Sequence, residues 1–262
     1  MKNVIKISMV FLFLFSGAAW AQKVKYSKDE LKHLKSYYFN EGFDRPARKK
    51  VSTVILKDGT EIKGYCLNIR TKKQQIHTLV FEDSITENKT DISADDVAEA
   101  YLFASGFEKF GKVANNINRM GTSKRNSMKK ATTNDEIYFV NQSVSLKNKK
   151  DEREFLMQLI NPDFDDYISV YHDPRSNESA SVGPGGFNAV GPKFGGGVLK
   201  SYYVKKGDRI FWLRKSDFKK EYDFLFGDNK EFMKKYPLNS INWDWLSALV
   251  LEYTKMTLEQ ES

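Results

Sequence analysis

The chain has 262 residues, with 42 lysines and arginines against 34 aspartates and glutamates, 40% hydrophobic side chains, 14% aromatic ones and a single cysteine. The apolar and aromatic content is that of a globular protein and excludes a largely disordered chain. One cysteine excludes an intramolecular disulfide and any metal site built from several thiolates. These totals indicate a folded protein but name no activity.

The first residues of the chain have the pattern of an export signal. Lys2 and Lys6 precede an apolar run over residues 10–15, and the small-x-small sequence AWA ends at Ala21. This order of charge, apolar run and small residues is typical of a cleavable signal peptide. We therefore expect cleavage after Ala21 and export to the periplasm or the extracellular space.

The apolar part of this segment is short for a membrane span. The charge-free run over residues 7–22 is shorter than the roughly 20 apolar residues that a spanning helix needs. We therefore expect no transmembrane segment in the mature chain, with an uncleaved signal anchor as the alternative. Removal of residues 1–21 leaves 241 residues with 40 basic and 34 acidic side chains, a net charge of +6.

The positive excess is concentrated in one segment. Residues 109–130 contain seven lysines and arginines and no acidic residue, which is more than the whole mature excess. A segment of this kind either contacts an anionic surface or is a solvated connector. The candidate contacts to an anionic surface are Lys124, Arg125, Lys129 and Lys130.

The first part of the mature chain predicts one helix followed by short strands. Ser27 and Glu30 form a capping box at the start of a helix over residues 27–39. Asp58-Gly59 is a strong signal for a two-residue hairpin turn. Five strands are predicted here, at 51–56, 60–69, 76–82, 90–93 and 98–103. Such strands can bury a core by curling into a small barrel or by packing against another layer.

The rest of the chain predicts more strands and then helices. Strand patterns occur at 136–146, 154–160, 167–172, 201–205 and 209–214, with a Gly-rich loop over 173–198. Helices follow at 217–226 and 228–236, and a third begins after Asn242. The long apolar stripe of the last helix has to be buried. Packing on the strands is expected, and docking onto a partner protein is the alternative.

These elements predict an α+β fold. Its β-rich body is a small barrel or a set of curled antiparallel sheets, with a short N-terminal helix and a C-terminal group of two or three helices. The expected organisation is a signal peptide (1–21), an N-terminal helix and linker (22–47), a small-barrel-like region (48–104), a basic polar linker (105–135), a second β-rich region (136–215) and the C-terminal helices (216–262).

Several stretches of the chain resemble exported bacterial proteins of uncharacterised function. They are VILKDGTEIKGYCLNI at 54–69, EFLMQLI followed by DYISVYHD, SYYVKKGDRIFWL, DFKKEYDFLFGDNKEFMKKY and a final WLSALVLEYTK. The resemblance implies an exported location and a β-rich body followed by short helices. It carries no catalytic residue.

The sequence contains no recognisable nucleophilic motif. Its histidines are His33, His77 and His172, and neither a G-x-S-x-G elbow nor a catalytic cysteine signature lies near them. Cys66 and His77 could face one another across adjacent strands, but burial of Cys66 within a strand is the simpler interpretation.

Three patterns come close to ligand sites. Residues 186–191 have the Walker spacing, but Pro192 stands where a lysine is required. Residues 161–165 begin like a calcium loop, but His172 stands where the bidentate glutamate should be. Trp212, Trp243 and Trp245 could form a platform for a sugar, although the last two flank a buried helix and fit a core role better. We therefore assign no catalytic residue, cofactor or metal.

The sequence favours an exported, non-enzymatic binding or interaction protein of the bacterial cell envelope. Its expected partner is an envelope protein or a glycan, and export makes nucleic acid an unsuitable target. Two alternatives stay open: an envelope-associated structural protein that uses the basic segment to contact anionic surfaces, and a hydrolase acting on glycans or peptides.

Overall fold

The computed structural model describes residues 24–40, 42–43, 45–103, 136–149, 151–176 and 198–262. The expected signal peptide lies outside the described residues. So do most of the Gly-rich loop and the four candidate surface contacts, Lys124, Arg125, Lys129 and Lys130. Within the described ranges, every helix is too short or too polar to cross a membrane.

Seven antiparallel strands form the larger sheet. They are β1 (Val51–Leu56), β2 (Glu61–Lys72), β3 (Gln75–Asp83), β4 (Lys89–Ser93), β5 (Val97–Phe103), β6 (Glu136–Ser145) and β7 (Glu152–Gln158), in the spatial order β4-β3-β2-β1-β5-β6-β7. The predicted hairpin turn joins β1 to β2, where Gly59 has a φ of 87° that favours glycine. Because β5 pairs with β6, strands from both predicted β-rich regions share this sheet.

The larger sheet curls around one apolar core. Every one of its strands contributes side chains to this core, among them Val54, Cys66, Phe81, Ile92, Leu102, Phe139 and Leu156. The curl brings β7 close to β3, although the two strands are not paired. The sheet is not closed, since β4 and β7 are its edges. The expectation of curled antiparallel strands is therefore confirmed, and the small barrel is not formed.

A smaller sheet of three strands packs on the outer face of the larger one. It consists of β8 (Ile168–His172), β9 (Ser201–Lys206) and β10 (Arg209–Arg214), in the order β10-β9-β8. Side chains alternate along each strand, so that Tyr203 and Trp212 face the larger sheet. Tyr202 and Val204 face the helices instead. The smaller sheet is thus buried on both faces.

Four α-helices complete the described part of the fold. They are α1 (Lys28–Leu34), α2 (Phe218–Phe226), α3 (Lys230–Lys235) and α4 (Leu246–Glu261). The capping box of α1 forms as predicted, but the helix ends at Leu34 and the following tyrosines and Phe39 pack on the core. The apolar stripe of α4 is buried in the same core. Packing on the strands, rather than docking onto a partner, therefore covers that stripe.

Candidate functional site

A cleft of about 370 Å³ opens at one end of the smaller sheet. The strand register places the end of β8, the start of β9 and the end of β10 together, because His172 pairs with Tyr202 and Ser201 pairs with Arg214. The cleft is lined by Arg175, Ser176, Val198, Lys200, Ser201, Trp212, Arg214, Lys215, Ser216 and Trp243. Segments distant in sequence thus meet at one point.

The lining of this basic cleft carries charge of one sign. It includes four cationic side chains and, among the described residues, no acidic one. Arg214 donates from Nε to Oδ2 of Asp217 at 2.5 Å, and the Nζ of Lys215 lies 3.5 Å from Oδ1 of Asp244. Lys200 is exposed and forms no ion pair with a described residue. The cleft therefore has a positive potential that its neighbours compensate only in part.

A buried carboxylate fixes the walls of the cleft. Asp173 is 1% exposed. Its Oδ2 accepts hydrogen bonds from the Ser201 hydroxyl at 2.7 Å and from the Trp212 indole N–H at 2.8 Å. Its Oδ1 accepts one from the backbone N–H of Arg175 at 3.0 Å. Because these donors come from the loop after β8, from β9 and from β10, one side chain sets the positions of all three.

Trp212 is held in place from two further directions. Its backbone N–H and C=O bond to the side-chain amide of Asn148 at 2.8 and 3.0 Å. The guanidinium of Arg214 lies 5.1 Å from the centre of its ring, and the ammonium of Lys147 lies 5.9 Å away. These are cation–π distances. The orientation of the indole ring is therefore fixed, and two cations already lie within cation–π distance of it.

The three tryptophans do not form the sugar platform considered above. Trp243 is 4% exposed and donates to the backbone carbonyl of Leu199 at 2.9 Å, so it belongs to the core beneath the cleft. Trp245 packs edge-on against Tyr26, with ring centres 5.7 Å apart, and does not line the cleft. Trp212 and the buried Trp243 therefore line the site, and Trp245 does not.

A second cavity, of about 300 Å³, lies between the two sheets. Tyr138, Tyr171, Asp165 and Lys205 are among its lining residues. Burial raises the pKa of Tyr138 and of Tyr171 far above the usual value for a phenol, so both hydroxyls stay protonated. Both tyrosines are buried and pack in the layer between the sheets, which makes their role structural.

Cys66 and His77 do not meet. Cys66 pairs with Phe81 across β2 and β3, which leaves His77 four residues further along β3. Four residues of a strand span about 13 Å. Burial raises the pKa of the Cys66 thiol to about 12, whereas His77 is exposed and bonds to the hydroxyl of Thr78. The Cys–His arrangement considered from the sequence is therefore not formed.

The other two histidines have packing roles. His33 lies between Oε1 of Glu252, at 3.0 Å, and the hydroxyl of Tyr38, at 2.5 Å, and so ties α1 to α4. His172 is covered by the backbone of Gly42, where an added Cβ would lie 2.5 Å from its Nε2. Burial lowers the pKa of His172, although the adjacent Asp173 opposes this. Neither imidazole lines the basic cleft.

Residues 161–165, whose spacing resembles the start of a calcium loop, belong to a turn. The amide of Asn161 donates to the carbonyls of Phe164 and Ile168 at 3.2 and 2.7 Å, and its Oδ1 accepts from the N–H of Val170 at 2.7 Å. All three contacts hold the chain that enters β8. Across the described ranges, no three His, Cys, Asp or Glu side chains are grouped so that they could hold a metal ion.

No protein family, curated protein or solved structure matches this chain. The ligand chemistry therefore has to be inferred from the side chains of the cleft. Of these, the sequence pointed to Trp212 and Trp243 and to none of the four cations, nor did it point to the buried Asp173 beneath them. The basic residues of the cleft are spread over some 40 positions, from Arg175 to Lys215, and only the sheet register brings them together.

Proposed function

We propose that the protein is a non-enzymatic binding protein whose ligand presents an anionic group, a carboxylate, sulfate or phosphate, to the basic cleft. The observation that carries this proposal is the lining itself, in which four cations surround a recess whose walls are fixed by the buried Asp173. Cations gathered around one recess select anions by electrostatic complementarity, and fixed walls lower the cost of ordering the site when the ligand enters.

The lining favours binding over turnover. General acid–base catalysis needs a group that gains or loses a proton near neutral pH, most often an imidazole or a carboxyl. Arginine and lysine ammonium groups stay charged there. The Ser201 hydroxyl donates to Asp173, and no histidine is among the described residues that line the cleft. A hydrolase is therefore the weaker proposal.

The cellular setting that we propose is the bacterial envelope, on the strength of the signal-like residues 1–21 and the positive mature charge. The alternative of a structural protein held by Lys124, Arg125, Lys129 and Lys130 uses residues outside the described ranges. Charge reversal of those four residues separates the two proposals. It should release an envelope-bound structural protein and leave anion binding at the cleft unchanged.

Calorimetric titration of the mature protein with sodium sulfate and with inorganic phosphate, at low ionic strength, tests anion binding. We expect Lys200→Gln combined with Lys215→Gln to weaken binding about fivefold or more, since a partly exposed charge contact contributes about 1 kcal/mol. Lys230→Gln combined with Lys234→Gln is the matched control, because α3 contributes no residue to the cleft. Equal affinity in the wild type and the cleft variant would contradict the proposal.

A further inference from the structure

The basic cleft is connected to the tip of the β2–β3 hairpin through Arg175. The Nε and Nη2 atoms of Arg175 donate to the backbone carbonyl of Lys73 at 3.1 and 2.6 Å. The guanidinium is thus held by a neutral carbonyl, and its positive charge is not cancelled by that partner. Arg175 therefore extends the region of positive potential from the cleft to the β2–β3 hairpin of the larger sheet.

The hairpin tip that Arg175 contacts carries two more cations. Lys72 and Lys73 are exposed and form no ion pair with a described residue. Arg70 lies two residues before Lys72 on the same strand. It differs from the two lysines because its guanidinium pairs with Asp91 at 2.5 Å. Lys72 and Lys73 therefore have no described acidic partner, and Arg175 contacts the backbone of Lys73.

The tip is held in one conformation. Lys73 and Gln74 have φ angles of 52° and 65°, in the left-handed region that non-glycine residues adopt at some cost. The guanidinium of Arg175 donates two hydrogen bonds to the backbone carbonyl of Lys73. Its two hydrogen bonds stabilise the turn and fix the backbone of Lys73 relative to Arg175 in the wall of the cleft.

We propose that the ligand is an acidic polysaccharide, a sugar chain with repeated carboxylate, sulfate or phosphate groups, which extends from the cleft to the hairpin tip. This inference rests on the proposed function and specifies its ligand. In this proposal the chain contacts the four cations of the cleft, Arg175, Lys200, Arg214 and Lys215, and continues past the bond between Arg175 and the Lys73 carbonyl to Lys72 and Lys73. A set of positive side chains that extends beyond the cleft can contact several groups of a polymer, whereas a single small anion would occupy only the cleft.

The shape and chemistry of the cleft and the hairpin tip favour a polysaccharide over other polyanions. A flat membrane surface would meet the exposed lysines of the tip but not the recessed wall around Trp212. Single-stranded nucleic acid binds through open aromatic faces on which bases stack. Here Trp243 is buried, and cations already lie against the ring of Trp212. The hydroxyls of Ser176 and Ser216 at the cleft supply hydrogen-bonding groups for sugar hydroxyls.

The test compares ligand lengths on the mature protein. The probes are a sulfated disaccharide, a sulfated octasaccharide of the same repeat and a neutral octasaccharide, each titrated at several salt concentrations. We expect the sulfated octasaccharide to bind about tenfold more tightly than the disaccharide, and the neutral one not to bind. The double variant Lys72→Gln/Lys73→Gln should weaken octasaccharide binding at least fivefold. It should also lower the salt slope by about one for each lysine.

The same variant should leave disaccharide affinity within about twofold of the wild type, because the short probe fits within the cleft. Lys230→Gln/Lys234→Gln removes the same charge from α3 and should change neither affinity. Both lysines of the tip are exposed and Arg175 binds a backbone carbonyl, so the variant keeps the contacts that support the fold. An unchanged thermal unfolding midpoint checks this.

Each outcome has a distinct meaning. If both sulfated probes bind equally and the hairpin variant behaves as the wild type, the polysaccharide path is overturned while anion binding at the cleft stands. If neither sulfated probe binds, and neither sulfate nor phosphate binds, the proposed function fails as well. If anionic vesicles or a single-stranded oligonucleotide bind more tightly than the octasaccharide through Lys72 and Lys73, the assignment to a polysaccharide is wrong.

Discussion

Two carboxylates hold different parts of the molecule together, and they differ in their partners. Asp173, at the base of the cleft, is almost fully buried and accepts hydrogen bonds from a serine, an indole and a backbone N–H. Glu252, on α4, keeps 13% of its side chain exposed and is surrounded by His33, Lys235 and Lys255. The hydroxyl of Tyr236 donates to it as well, at 3.4 Å.

The difference determines what each centre can do. The neutral donors around Asp173 form directional hydrogen bonds. When their acceptor is removed, these donors stay buried without a hydrogen-bond partner. Ammonium groups at the surface can turn to water instead, and salt screens their attraction. Asp173 is therefore suited to keep a binding site in one geometry. Glu252 is suited to join helices in a way that depends on ionic strength and pH.

Replacement of Asp173 should have the largest effect. Asp173→Ala leaves the Ser201 hydroxyl and the Trp212 indole N–H without an acceptor, so we expect a loss of about 3 kcal/mol in the free energy of unfolding. Asp173→Asn keeps an acceptor oxygen and should lose less. Urea unfolding, followed by tryptophan fluorescence, measures both.

Asp223→Ala serves as a control for this substitution, because Asp223 is exposed on α2 and forms no ion pair with a described residue. It should change the free energy of unfolding by less than about 0.5 kcal/mol. Anion affinity provides a second measurement. If Asp173→Ala unfolds like the control and binds sulfate like the wild type, Asp173 does not organise the cleft.

The comparison also shows what the sequence can predict. Residues 51–56 and 209–214 were predicted as strands, and they form β1 and β10 with the same limits. Their signal is local, since alternation and turn residues are read within a few positions. The capping box at Ser27 is local in the same sense. Local patterns therefore predicted most of the elements of this fold.

The cleft and both carboxylate centres depend on contacts between distant residues. Asp173 and Trp212 are 39 positions apart, and His33 and Glu252 are 219 apart. No periodicity within one segment indicates such pairs. The stacking of the smaller sheet on the larger one is likewise a property of the assembled chain. The sequence indicated Trp212, Trp243 and Trp245 as a possible sugar platform, and of these Trp212 and Trp243 line the cleft.

Replacement of Glu252 should have a smaller effect that depends on salt. We expect Glu252→Gln to lower the free energy of unfolding by about 1 kcal/mol at low ionic strength, since the amide can still bond to Tyr236 but attracts neither lysine. Most of this difference should disappear near 1 M sodium chloride, where the Debye length falls to about 3 Å. Paired urea titrations at the two salt concentrations measure it.

The pH dependence of this centre has a definite sign. Burial alone would raise the pKa of Glu252, but Lys255, His33 and Lys235 together hold that pKa below its usual value of 4.5. The unfolded chain therefore binds the proton first as the pH falls. The stabilisation is complete above pH 4.5 and is lost as the pH drops through the folded-state pKa. A salt-independent difference, or one that persists in acid, would contradict an ion-pair role for Glu252.

The smallest expected effect concerns His172, which adjoins the Asp173 centre and lies under Gly42. Burial lowers the pKa of His172 below its usual value of 6.5, while the charge of Asp173 opposes this change. The unfolded chain therefore takes up the proton first, so this contribution is intact above pH 6.5 and is lost as the pH falls toward the folded-state pKa. The variant His172→Gln, which cannot titrate, should lose less stability than the wild type between pH 7.5 and pH 5.5.

Urea unfolding of both proteins at the two pH values gives the comparison, and the Asp173→Asn variant sharpens it. With the negative charge of Asp173 removed, the pKa of His172 should fall further, because burial would act without opposition. The stability of that variant should then depend more steeply on pH than that of the wild type. Parallel pH profiles for the wild type and His172→Gln would mean that His172 is solvated in the folded chain, and that Gly42 does not enclose its ring.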